Sequence, residues 1–133
     1  MRTIGLLGGT SWESTAVYYA ELNRGTAARL GPRRQPPLLL HSVDFAELAD
    51  RQARGEWDVL GQQYAEATRA LVASGAEVLG ICANTMHRLA DDILREVRIP
   101  LVHIADAAAE LTPAQRAELR VEVAQLADGE LHR

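Results

Sequence analysis

Lysine is missing from this chain altogether: the 14 basic residues other than histidine are all arginine. Chemistry through a lysine Schiff base is therefore outside its reach. Cysteine occurs once, as Cys82, which excludes an internal disulfide framework and a multi-cysteine metal site. No stretch approaches the roughly 20 apolar residues that cross a bilayer. The first residues, Met1 to Gly9, carry one charged side chain and an apolar run too short for a secretory signal. A cytoplasmic location is the expectation. An excess of positive charge is lacking too. The formal net charge of −4 argues against a general nucleic-acid or anionic-membrane binder. The densest basic cluster, Arg29, Arg33 and Arg34, reads as a solvated loop after a helix. The four histidines show no metal-ligand spacing and there is no His-Glu-x-x-His, so no metal is expected. Internal repeats and low-complexity tracts are also absent.

What is present is an apolar fraction of 47% in 133 residues, enough for one domain with an ordinary core. Thr3 to Leu7 reads as a buried strand and Gly8-Gly9-Thr10-Ser11 as the turn after it. Trp12 to Leu30 reads as a helix, with Ser11 as N-cap, Glu13 in its first turn and Gly31-Pro32 as its stop. Leu38 to Val43 is a second strand, and Asp44 caps a short helix to about Arg54. Trp57 to Ser74 is a helix with Leu60, Tyr64, Ala67 and Leu71 on one stripe, closed by Gly75. Ala76 to Ile81 is a third strand, Asn84 to about Arg95 a helix, and Ile99 to Val102 a fourth strand. A capping box at Thr112-Pro113-Ala114-Gln115 opens a last helix to about Ala127.

The order β-α-β-α-α-β-α-β implies an α/β fold, a parallel four-stranded sheet flanked by helices, plus a C-terminal helix. Ligands of such sheets bind outside the carboxyl ends of the strands. Three polar turns fall there: Gly9 to Ser11, Cys82 to Thr85, and His103 to Asp106. Gly8-Gly9-Thr10-Ser11 is either a structural tight turn or an anion site at a helix N-terminus. It is neither a Walker A motif nor Gly-x-Gly-x-x-Gly. A thiol at a strand-to-helix turn lies near backbone N–H groups and the positive helix end, which favours the thiolate. Asn84 and Thr85 could hold a carboxylate beside Cys82, or could cap the next helix. His87 either tunes Cys82 or is a partly exposed helix residue. His103 lines the ligand edge or does not, and Asp106 could be a cap. A Cys-His hydrolase, with His87 or His103 as base, is a rival chemistry on this evidence.

Five segments together resemble the aspartate/glutamate racemase family of cofactor-independent amino-acid racemases. They are residues 3–15 (Thr-Ile-Gly-Leu-Leu-Gly-Gly-Thr-Ser-Trp-Glu-Ser-Thr), His41-Ser42-Val43-Asp44-Phe45, Arg54-Gly55-Glu56-Trp57, Cys82-Ala83-Asn84-Thr85-Met86-His87, and Ile99-Pro100-Leu101-Val102-His103-Ile104-Ala105-Asp106. The resemblance covers about residues 1–110. It implies one lobe of a two-lobe racemase-like fold, in which each lobe supplies a cysteine and two thiols exchange the α-proton on opposite faces. By resemblance, Cys82 is the first-lobe acid/base. Asn84 and Thr85 match the residues that hold the α-carboxylate, and Thr10 and Ser11 match the glycine-turn residues lining the pocket. Gln52 matches a position that contacts the substrate's distal group.

The family's second-lobe Gly-Cys-Thr-Glu motif is absent, and residues 111–133 are similar to a helix that precedes it. They read as a remnant of that lobe. The resemblance therefore implies an isomerase, a racemase or epimerase of an acidic or related amino acid, with little two-base activity if these residues act alone. A homodimer could bring two Cys82 thiols together. A non-catalytic amino-acid-binding or interaction protein derived from a racemase is the alternative.

Overall fold

The computed structural model describes residues 1–8, 12–82 and 89–103. Its strands are β1 (Ile4–Gly8), β2 (Leu38–Ser42), β3 (Val78–Ile81) and β4 (Leu101–His103). Its helices are α1 (Trp12–Leu30), α2 (Phe45–Ala53), α3 (Trp57–Ala73) and α4 (Ala90–Glu96). The strands are parallel and lie in the order β2-β1-β3-β4. β1, β2 and β3 carry most of the sheet; β4 is a three-residue strand on β3, registered from Leu79↔Leu101 to Ile81↔His103. The expected last helix, residues 113–127, lies outside the described residues.

β1 and β3 are buried along their whole lengths, as expected of central strands covered on both faces. β2 is an edge strand and its last three residues are exposed. Moving from β1 to β2 and then back across to β3 reverses direction. Right-handed crossovers therefore place α1 on one face and α3 on the other. α3 packs on β1, β2 and α4. The core on that face joins Leu7, Leu79 and Ile81 from the sheet to Leu60, Tyr64, Leu71 and Ile93 from the helices.

Local chemistry fixes the helix ends. Asp44 accepts a hydrogen bond from the Ala46 N–H at 3.2 Å, satisfying one free donor at the start of α2. α2 and α3 end in the same motif. At the end of α3, Gly75 (φ 111°) donates to Val72 and Ala76 donates to Leu71. At the end of α2, Gly55 (φ 71°) donates to Gln52 and Glu56 donates to Arg51. Glycine is suited to this left-handed position, and each turn satisfies carbonyls that the helix leaves open.

These turns also correct two strand starts. Ala76 is occupied in closing α3, so β3 begins at Val78 and not at Ala76. The fourth strand begins at Leu101 and not at Ile99. Pro100 precedes it without an N–H to donate, though its carbonyl accepts from Leu79 at 2.9 Å.

Candidate functional site

Three strands end at the carboxyl edge of the sheet just where the polar segments of the sequence begin. β1 ends at Gly8 and β3 at Ile81, and their register is Leu7↔Ile81. Cys82 continues the ladder by one step: its N–H donates to the Leu7 carbonyl at 3.0 Å. Cys82 thus stands opposite Gly8, the first residue of the glycine turn. On the other side of β1, the Val43 N–H donates to the Gly8 carbonyl at 3.1 Å. On the other side of β3, the backbone of His103 is in register with Ile81. Cys82 is fully buried.

Gly8 is required at this edge by close approach. A Cβ there would lie 2.7 Å from both Cγ2 and Oγ1 of Thr15, a buried residue of α1. The missing side chain lets α1 start directly against the end of β1. Trp12 and Phe45, the first residues of α1 and α2, are both exposed on the rim of this edge.

Tyr64 reaches the same level from α3. A Cβ built at Gly5 would come within 3.4 Å of Leu71, so Leu71 sits over Gly5. Tyr64 precedes Leu71 by two helical turns, about 10 Å. From Gly5 to Gly8 the strand also advances about 10 Å. α3 runs opposite to the strands, so Tyr64 is level with Gly8 and Cys82. Side chains of a helix tilt toward its N-terminus, which here is the carboxyl edge of the sheet. Tyr64 is 3% exposed, and its hydroxyl is buried with no hydrogen-bond partner among the described residues. Its pKa is pushed up to about 12, first by burial and then by the charge of Cys82.

Tyr64 also lines a groove of about 430 Å³ between the end of β2, α2 and α3, with His41, Asp44, Glu47 and Glu66 among its walls. Cys82 is not among the described residues that line it. The stripe of Tyr64 with Leu60, Ala67 and Leu71 reads in sequence as plain core. The signal in sequence is a hydroxyl placed on an otherwise apolar helix stripe.

The other expected site residues divide into two groups. Thr10, Ser11, Asn84, Thr85 and His87 lie outside the described residues. Gln52 lies in the last turn of α2, half-buried, on the element that follows β2. It is not part of the groove lining. Among the described residues no group of three or more His, Cys, Asp or Glu could hold a metal ion, and no helix is long and apolar enough to cross a membrane.

A family model described as Asp/Glu/hydantoin racemase matches residues 7–123. Two solved structures align with 77% of this chain. One, from Yersinia pestis and provisionally assigned as an Asp/Glu racemase, is 44% identical with a TM-score of 0.75, and the match covers 45% of it. The other, an aspartate racemase homologue from Pyrococcus horikoshii OT3, is 34% identical with a TM-score of 0.70, and 44% of it is covered. The chain thus spans less than half the length of either structure. With a buried thiol opposite Gly8 at the carboxyl edge and this likeness along most of its length, the chain belongs to the Asp/Glu/hydantoin racemase family.

Proposed function

We propose that this chain carries one acid/base centre of a cofactor-independent amino-acid racemase, with Cys82 as the proton-transfer group. The supporting observation is the Cys82 N–H to Leu7 carbonyl bond, which fixes the cysteine opposite Gly8 where substrates of parallel sheets bind. In this reading Asn84 and Thr85 hold the substrate α-carboxylate, Thr10 and Ser11 line the pocket, and Gln52 contacts the distal group. The substrate class is an acidic amino acid, aspartate or glutamate, in keeping with the family's description.

An amino-acid α-proton is very weakly acidic, so the base must be close, desolvated and already ionised. The Cys82 thiolate takes the proton, and the electron pair of the C–H bond passes toward the carboxylate. Hydrogen-bond donors there stabilise the charge that develops. Return of the proton from the same sulfur regenerates the starting configuration. Inversion requires a second donor on the opposite face. These residues contain one cysteine, so a second thiol comes from another subunit or segment.

The test is incubation with L- and D-aspartate and L- and D-glutamate in D₂O, followed by NMR at the α-carbon. Deuterium incorporation with retained configuration, lost in Cys82→Ala, is the expected result. Inversion by this chain alone would overturn the one-thiol reading. Absence of exchange with every amino acid tried would overturn the catalytic one.

A further inference from the structure

We infer that the groove between the end of β2, α2 and α3 is a binding site for a small organic ammonium ion. The apolar body of such an amine lies on the groove floor and its charged end meets the carboxylates of the rim. The inference does not rest on the reading of Cys82.

At about 430 Å³ the groove has the size of a small-molecule site, about 300–1,000 Å³. Its floor is apolar: Leu48, Tyr64 and Ala67 line it and are all buried. Three carboxylates, Asp44, Glu47 and Glu66, stand on its exposed margin. Of its described lining residues, only His41 can carry a positive charge. Glu47 is answered by Arg51 at 3.5 Å. Neither Asp44 nor Glu66 has an ion-pair partner among the described residues.

The start of α2 lies in the groove wall, and a helix start by itself favours an anion. That demand is already met, because Asp44 caps the helix and Glu47 stands in its first turn. The charge left over is negative, so the complementary ligand is a cation. A floor of carbon calls for a ligand with a carbon body in place of a bare, strongly hydrated ion. Tyr64 adds a second demand. Its hydroxyl is out of water with no hydrogen-bond partner among the described residues, so the groove lining holds an acceptor without a donor. A primary ammonium carries three N–H donors.

The probe is 2-phenylethylammonium, titrated into the whole chain and followed by backbone ¹H–¹⁵N resonances. The control is 3-phenylpropionate, similar in shape and opposite in charge. A ligand of this size on an open groove reaches about millimolar affinity. Saturating shifts centred on residues 41–48 and 63–70 are expected with the ammonium. Binding of the carboxylate is expected to be about tenfold weaker or less. Glu66→Gln removes one charge from an exposed helix position, and Asp44→Asn removes another while keeping a good N-cap. Together they should weaken the ammonium about three- to ten-fold. Ala70→Trp, at an exposed position in the groove wall, should abolish binding by filling the space. No saturable shift up to about 20 mM, equal affinity for the two probes, shifts centred elsewhere, or an affinity unmoved by the paired charge removal overturns the proposal. Should Ala70→Trp fail to fold, the paired variant and the probe of opposite charge decide the question.

Discussion

Replacing Gly8 with alanine tests the packing that brings α1 to the carboxyl edge. Gly8 does not have a positive φ, so its backbone accepts alanine without strain. Such a change on its own stabilises by about 0.4–1 kcal/mol through the unfolded chain. Against this, the new Cβ would stand 2.7 Å from two atoms of Thr15 and 3.2 Å from Leu40 Cδ1. Ordinary carbon–carbon contact begins at about 3.5 Å. Thr15 cannot turn aside: its two branches both flank the intruding carbon, and a β-branched side chain on a helix has few rotamers. Relief requires moving α1 itself. Overpacking of this kind costs about 1–3 kcal/mol, so the overlap outweighs the entropic gain and Gly8→Ala loses about 1–2 kcal/mol net. Urea unfolding of Gly8→Ala, Thr15→Ala and the double variant measures it. On the Thr15→Ala background the Gly8→Ala change should be neutral or stabilising, a coupling of about 2 kcal/mol. A Gly8→Ala variant as stable as the parent, or one equally destabilised in both backgrounds, would refute the reasoning.

Tyr64 makes stability depend on alkaline pH. Its folded pKa of about 12 lies above the ordinary phenol value of 10.0, so between these values the unfolded chain has released a proton that the folded chain keeps. This contribution is complete below pH 10 and is lost as pH rises toward 12, about 2–3 kcal/mol in all. The unfolding free energy of the parent should therefore fall relative to that of Tyr64→Phe over that window; a difference constant from pH 9 to 12 is the contrary result. Gly75→Ala should cost about 1–2 kcal/mol by thermal unfolding. A Cβ there would meet nothing within 4 Å, so the whole effect comes from a φ of 111°. A loss under 0.3 kcal/mol would contradict it.

Much of the fold is legible in local sequence chemistry. The span of α1 follows from Gly31-Pro32, and the start of α2 from Asp44, whose carboxylate caps it as its residue type suggests. Strand starts were less legible, because Ala76 and Ile99 carry apolar side chains that fit a strand while backbone bonding gives Ala76 to the helix end. The position of Cys82 at a strand end could be read from the apolar run before it. That Tyr64 comes level with Cys82 could not. It depends on the distance α3 travels back over β1, which no local pattern encodes. A tyrosine on an apolar stripe looks the same whether its hydroxyl reaches water or stays buried.

The edge strand β2 bears on how this chain behaves in concentrated solution. On its outer side Leu38–Ser42 has no neighbouring strand among the described residues, and Leu40 is 48% exposed. A row of open amide groups with leucines between them is a template on which other chains can extend a sheet. The strand contains no arginine, aspartate or glutamate. Protection comes from its ends: Pro36 and Pro37 stop its extension on one side, and Arg33, Arg34 and Asp44 act as charged gatekeepers around it. Colloidal stability therefore depends on residues flanking the strand, and a change in those flanks that leaves the fold intact would still alter how readily copies aggregate.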